Sequence, residues 1–234
     1  MNMIKLLKVG KVYHSRPALK RVDLGIENGT MLTIFGPNGA GKTTLLKILA
    51  GIMSPSEGRV IYSPELSRHG DVRGSISYLG HKNSLYNELT VLENINFVFR
   101  LFGRKNGKEV IEMTLREFGL WERRRDPVRE LSQGMKRRLA VAKGFITDSR
   151  IFIFDEPFTG LDLRWRDTML SRIRELKAKR KTTIICTHLL EEGYELGDIF
   201  AFFHRGSLLF LKRRDEIGLD EIKERFRLLE EPGR

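Results

Sequence analysis

A single cysteine, Cys186, stands among the 234 residues. That excludes a disulfide framework and a thiolate metal cluster, and it suits a reducing compartment. Long apolar runs are missing too. Stretches such as 151–154 and 199–203 stay far below the roughly 18 residues a membrane-spanning helix needs. The opening Met1-Asn2-Met3-Ile4-Lys5 lacks the apolar core of a secretory signal, so a cytosolic chain is expected. No repeat of fixed period and no low-complexity tract occurs. Acidic residues are in deficit: Lys plus Arg is 42 against 30 for Asp plus Glu, so the net charge is 42 − 30 = +12. Such an excess points to a polyanionic partner, whether nucleotide, nucleic acid or an anionic membrane surface. What remains is ordinary globular material, 41% hydrophobic and 31% charged, which excludes disorder and coiled-coil architecture.

Apolar patterning divides the chain into strand-like and helix-like segments. Residues 4–9, 22–27 and 31–35 read as strands, followed by a glycine-rich turn and a helix over 42–50. Residues 58–62 and 75–79 read as further strands. From 90 to 146 the period becomes helical, with Leu92, Ile95, Val98, Phe99 and Phe102 on one face. Strand patterns return at 150–154, 182–186, 199–203 and 207–211, separated by helices over 163–179 and 189–196. A terminal helix is expected at 220–229. Alternation of this kind predicts a mostly parallel α/β sheet with a helical insertion.

Two motifs carry chemistry. The first is Gly36-Pro37-Asn38-Gly39-Ala40-Gly41-Lys42-Thr43-Thr44, a complete phosphate loop between an apolar strand and a helix. Its glycines let backbone amides turn inward on a β-phosphate, and the helix N-terminus adds partial positive charge. Lys42 is placed to reach the β- and γ-phosphates, and the Thr43 hydroxyl to meet Mg²⁺. The second is Ile151-Phe152-Ile153-Phe154-Asp155-Glu156, a buried strand ending in two carboxylates. In a parallel sheet, ligands bind at that edge. Asp155 is placed in the Mg²⁺ shell, directly or through water, and Glu156 to take a proton from the attacking water.

With Leu131-Ser132-Gln133-Gly134-Met135 added, the sequence resembles the ATP-binding subunits of ABC transporters over essentially its whole length. That family's pentapeptide reads Leu-Ser-Gly-Gly-Gln; here Ser132 and Gly134 are kept. The resemblance implies a RecA-like P-loop NTPase core over about 1–89 and 149–219, with an antiparallel β subdomain. It also implies a helical subdomain over about 90–148 and a C-terminal helix over about 220–234. It further implies ATP and Mg²⁺ as cofactors, and a head-to-tail homodimer in which Ser132 and Gly134 of one chain meet the γ-phosphate bound by the other. An integral membrane permease would be the partner, and the chain would sit peripherally on the cytoplasmic side of the inner (cell) membrane. By the same resemblance Asp162 is the residue communicating across the dimer, His188 the switch histidine and Tyr13, 23 residues before Gly36, the residue stacking on adenine.

At one position the chain departs from the family. Where most members carry a glutamine linking Mg²⁺ and water to the membrane partner, this sequence has His81. The run Tyr78-Leu79-Gly80-His81, with Glu88-Leu89-Thr90 downstream, resembles the haem exporter ATP-binding subunit of c-type cytochrome biogenesis. A drug or lipid exporter subunit with an incidental substitution is the alternative. A soluble ABC-type ATPase acting on nucleic acid draws support from the +12 charge and from the runs Arg123-Arg124-Arg125 and Lys212-Arg213-Arg214. No RNA motif or zinc finger accompanies them, so no nucleic acid is expected. They also suit anionic headgroups at a membrane surface. A small-molecule kinase leaves Ser132, Gly134 and His188 unexplained.

Overall fold

The computed structural model describes residues 1–66 and 71–230. The chain begins with a hairpin of β1 (Asn2–Tyr13) and β2 (Arg16–Glu27). Its arms are longer than the apolar pattern predicts, because their outer halves are charged and exposed and are held mainly by strand pairing. His14 and Ser15 turn the hairpin, with φ of 44° and 68°, the pair of positive values a tight turn of right-handed twist requires. Strand β4 (Glu57–Tyr62) pairs antiparallel on the other side of β1, completing a three-stranded sheet in the order β2-β1-β4.

The second sheet has six strands: β3 (Met31–Phe35), β5 (Ile76–Leu79), β6 (Ile151–Asp155), β7 (Thr182–Cys186), β8 (Ile199–His204) and β9 (Ser207–Arg213). Their order is β5-β6-β7-β3-β8-β9; all neighbours are parallel except β9, which returns antiparallel along β8. Every residue of β3, β6 and β7 is buried. This is why they read as continuous apolar runs rather than alternating ones.

Helices cover this sheet: α1 (Lys42–Leu49), α2 (Val91–Leu101), α3 (Lys108–Glu117), α4 (Gln133–Phe145), α5 (Leu163–Ala178), α6 (Leu190–Leu196) and α7 (Leu219–Glu230). The long helical texture from 90 to 146 is three helices, not one. Thr90 opens α2 with a capping box in which Thr90 and Glu93 satisfy each other's backbone amides, worth about 1 kcal/mol. Positive-φ glycines at 103 and 119 separate the pieces. Phe145 of α4 anchors the helical segment to the sheet, its ring 6.2 Å from Phe152 and 5.5 Å from Phe154. The expected C-terminal helix is α7; its anticipated last residues, 231–234, lie outside the described residues. Among the described residues, no helix is long and apolar enough to cross a membrane.

Candidate active site

The carboxyl ends of β3, β6 and β7 lie along one sheet edge, and each delivers part of the site. After β3 the chain curls back on itself around its own lysine. Lys42, 8% exposed, donates from Nζ to the Gly36 carbonyl at 2.5 Å and the Pro37 carbonyl at 2.9 Å. Glycine is obligatory at both ends of the curl. Gly36 has φ of 144°, and a Cβ there would lie 2.1 Å from the Phe203 carbonyl oxygen. Gly41 has φ of 96°, and its Cβ would meet the Ala18 carbonyl oxygen at 2.3 Å. Gly41 caps α1 without a side-chain hydrogen bond, and the first turn of α1 holds no acidic residue. Its amides therefore face the cavity free to bind an anion.

Strand β6 ends in Asp155, which is 1% exposed and whose Oδ2 has no hydrogen-bond partner among the described residues. A buried carboxylate oxygen left unpaired is costly in a structural role. In one cavity with Thr43 and the phosphate loop, it fits a hard cation such as Mg²⁺. Tyr78 is half-buried near Asp155, and desolvation with that negative charge pushes its phenol well above the usual range. The next residue, Glu156, has a φ of 52°, a left-handed conformation that costs a non-glycine residue about 1–2 kcal/mol. Its amide donates to the Cys186 carbonyl of β7 at 2.9 Å. Its carboxylate lies 2.7 Å from His188 Nδ1 and accepts from the His188 amide at 3.4 Å.

These groups share one open cavity of about 710 Å³, lined by Gly36, residues 38–44, His81, Asp155, Glu156 and His188. Pro37 does not line it and contributes its carbonyl to Lys42. A carboxylate–imidazole pair on a strained backbone, an orphaned carboxylate oxygen and a phosphate loop thus face the same space.

The family described as "ABC transporter" matches residues 19–159. The chain belongs to the ABC transporter ATP-binding subunit family.

Relatives of this ABC subunit include the lantibiotic transport ATP-binding protein SrtF of Streptococcus pyogenes, 31% identical, with 96% of each chain covered. The Nod factor export ATP-binding protein I of Rhizobium sp. (strain N33) is 36% identical over 88% of this chain and 69% of that protein. Among solved structures, a dimeric ATP-binding cassette in a post-hydrolysis state bound to ADP and Pi superposes with a TM-score of 0.79. It is 26% identical, and the match covers 91% of this chain and 99% of that one. The fold is that of an ABC-type P-loop NTPase, with an antiparallel sheet beside the mostly parallel one.

The remaining predicted residues fall into two groups. Tyr13 is 39% exposed beside a shallow hollow that shares Ala18 with the main cavity, and its hydroxyl contacts Met53 Sδ at 2.9 Å. Ser132, Gly134 and Asp162 do not line the cavity of their own chain. Ser132 caps α4, its hydroxyl accepting from the Met135 amide at 3.2 Å. Gly134 is open, with nothing within 4 Å of where a Cβ would stand. Asp162 caps α5 by accepting from the Trp165 amide at 3.1 Å. In an ABC subunit all three are thus free to face a second chain. Ala18, Thr159, Cys186 and Phe226 also line the cavity, and the sequence does not flag them. Ala18 arrives because β2 passes over Gly41, and Phe226 because α7 folds back, both long-range placements with no local signature.

Proposed function

We propose that this chain binds and hydrolyses ATP as the nucleotide-binding half of an exporter, acting as a head-to-tail dimer on a separate membrane permease. The observation that carries the reading is the Glu156 carboxylate held 2.7 Å from His188 Nδ1 in the same cavity as the phosphate loop. Lys42 and the α1 amides bind and orient the β- and γ-phosphates. Glu156 accepts a proton from water as the water oxygen bonds to the γ-phosphorus. The bond from that phosphorus to the β–γ bridging oxygen breaks, leaving ADP and phosphate. His188 orients the base and lies near the γ-phosphate. Thr43 and Asp155 would hold Mg²⁺, which when bound neutralises charge on the transferring phosphoryl group. Ser132 and Gly134 complete the site of the opposite chain, with Asp162 between the two. Tyr13 offers adenine a ring at the edge of the cavity.

We read residues 1–89 with 149–219 as the catalytic core, 90–148 as the helical arm and α7 as an appendage. On the arm, Phe97 is exposed and packs edge to face at 5.1 Å against Tyr86 from the loop before it, with Leu101 and Met113 also exposed. Apolar side chains so placed suit a membrane subunit docking there, with the dimer sitting peripherally on the cytoplasmic side of the inner membrane in this reading. For the cargo, the lantibiotic and Nod factor relatives favour the drug or lipid exporter reading over haem export, which rests on His81 and its neighbours alone. The test is purification in mild detergent from the native host. An integral membrane protein should copurify, and the complex should hydrolyse MgATP. Salt-sensitive RNA or DNA binding by a chain with no membrane partner would overturn the reading.

His81 lines the cavity, and its place in the chain is that of the coupling glutamine. His81→Gln should therefore keep most ATPase activity. His81→Ala should lose more of the stimulation by the reconstituted permease than of the basal rate, since Lys42, Asp155 and Glu156 stay in place. Equal stimulation of wild type and His81→Ala would remove the coupling role.

A further inference from the structure

Arg137 lies on α4, five residues after Ser132, and is only 5% exposed. Among the described residues its guanidinium forms no ion pair with a carboxylate side chain. It donates instead to three backbone carbonyls: from Nε to Thr159 at 3.1 Å, from Nη1 to Gly80 at 3.1 Å and from Nη2 to Glu156 at 2.7 Å. Burial lowers its pKa, with the nearby charges of Asp155 and Glu156 opposing, yet arginine keeps its charge in proteins. A buried cation is tolerated when its donors are satisfied, and here the satisfying acceptors lie in the site or directly beside it. Gly80 directly precedes His81. Thr159 lines the cavity, and its amide donates to the same Glu156 carbonyl at 3.3 Å.

Glu156 needs such a grip. Its left-handed φ is held against relaxation from both sides, by β7 through its amide and by Arg137 through its carbonyl. Without Arg137 that carbonyl keeps only the longer contact from the Thr159 amide, a weaker hold against a rotation of the peptide that would carry the carboxylate away from His188. Helix α4 grips the other loop again through Lys143, whose ammonium donates to the Asn83 and Ser84 carbonyls.

We propose that Arg137 is a positioning residue that ties the Glu156 peptide and the His81 loop to α4. The base then stands in place only while α4 does. Because Ser132 caps α4, the element that completes one nucleotide site also sets the base of the other. The inference rests on the reading of Glu156 as general base, and it gives the two sites of a dimer a physical link.

The test uses the full chain with Arg137→Lys, which keeps the charge, and Arg137→Met, which keeps the bulk without donors. A lysine ammonium is a single point of donors and cannot span three carbonyls as the planar guanidinium does. In Arg137→Lys, kcat should fall roughly ten- to a hundredfold while affinity for a fluorescent ATP analogue changes less than about threefold, as expected for misplacement of a reacting group. Adding Arg137→Lys to Glu156→Gln should cost little further, because both act through one group. Amide hydrogen exchange should quicken at 80–84 and 156–161 together, with β6 and β7 unchanged. A kcat within about twofold of wild type would overturn the proposal. So would additive losses in the double variant, or exchange rising evenly across the chain. If the wild-type protein does not hydrolyse ATP, the reading of Glu156 as base fails, and the exchange pattern alone still decides whether Arg137 holds these loops.

Discussion

Glu156→Gln is expected to abolish turnover and leave ATP bound. The substitution removes the carboxylate that accepts a proton from the attacking water, a contribution of about 10²–10⁴-fold. It preserves the side-chain shape and adds no new backbone strain, since glutamine pays no more than glutamate for the φ of 52°. An amide oxygen can still accept from the His188 amide and ring. Lys42 remains folded onto the Gly36 and Pro37 carbonyls, and Thr43 and Asp155 are untouched, so nucleotide affinity should persist. With hydrolysis blocked, ATP should accumulate between two chains and hold them together. The measurements are steady-state ATPase rate, equilibrium nucleotide binding, and size exclusion with and without ATP. Hydrolysis within about tenfold of wild type would show that another group is the base.

The parts of this site that depend on contiguous residues are legible in the chain. The phosphate loop needs glycines where a side chain would strike the Phe203 and Ala18 carbonyls, so its spacing survives as a written pattern. Strand β6 is buried on both faces, so its apolar run and the two carboxylates after it stand out. Contributions from distant segments leave no such mark. Ala18 and Phe226 reach the cavity only through the β2 and α7 packing, and nothing in their neighbours announces it. Arg137 is hidden for a different reason. Lys136-Arg137-Arg138 is a run of three basic residues, yet the turn of α4 sends the middle residue inward to three carbonyls. Its neighbour Arg138 lies over the Trp165 ring at 4.2 Å. A charge run says little about which member is buried until the helix is placed against its neighbours.

Ser132→Arg tests the composite nature of the site. Ser132 is exposed and absent from the cavity of its own chain, so a bulky cation there should leave monomeric ATP binding unchanged. Within a head-to-tail dimer the same side chain would enter the partner's γ-phosphate space, displace the serine hydroxyl and crowd the open Gly134 amide. ATPase activity of the pure variant should therefore collapse, on the order of 10²-fold or more. The helix itself should survive, because the lost cap is worth only about 1 kcal/mol and α4 is anchored at its far end by Phe145. Mixing with Lys42→Ala chains separates cis from trans. In a mixed dimer, the phosphate loop of the Lys42→Ala chain meets the α4 that carries Ser132→Arg, so that site holds both defects and the other site holds neither. Activity that reappears on mixing two inactive proteins requires a complete site drawn from both chains. An unchanged ATPase rate in pure Ser132→Arg protein would contradict the sandwich directly, since no working site could then depend on that serine. Loss of activity without recovery would leave the trans contact standing and show instead that one intact site does not turn over while its partner is empty. The Arg137 link from each base to the helix serving the opposite site would produce that behaviour.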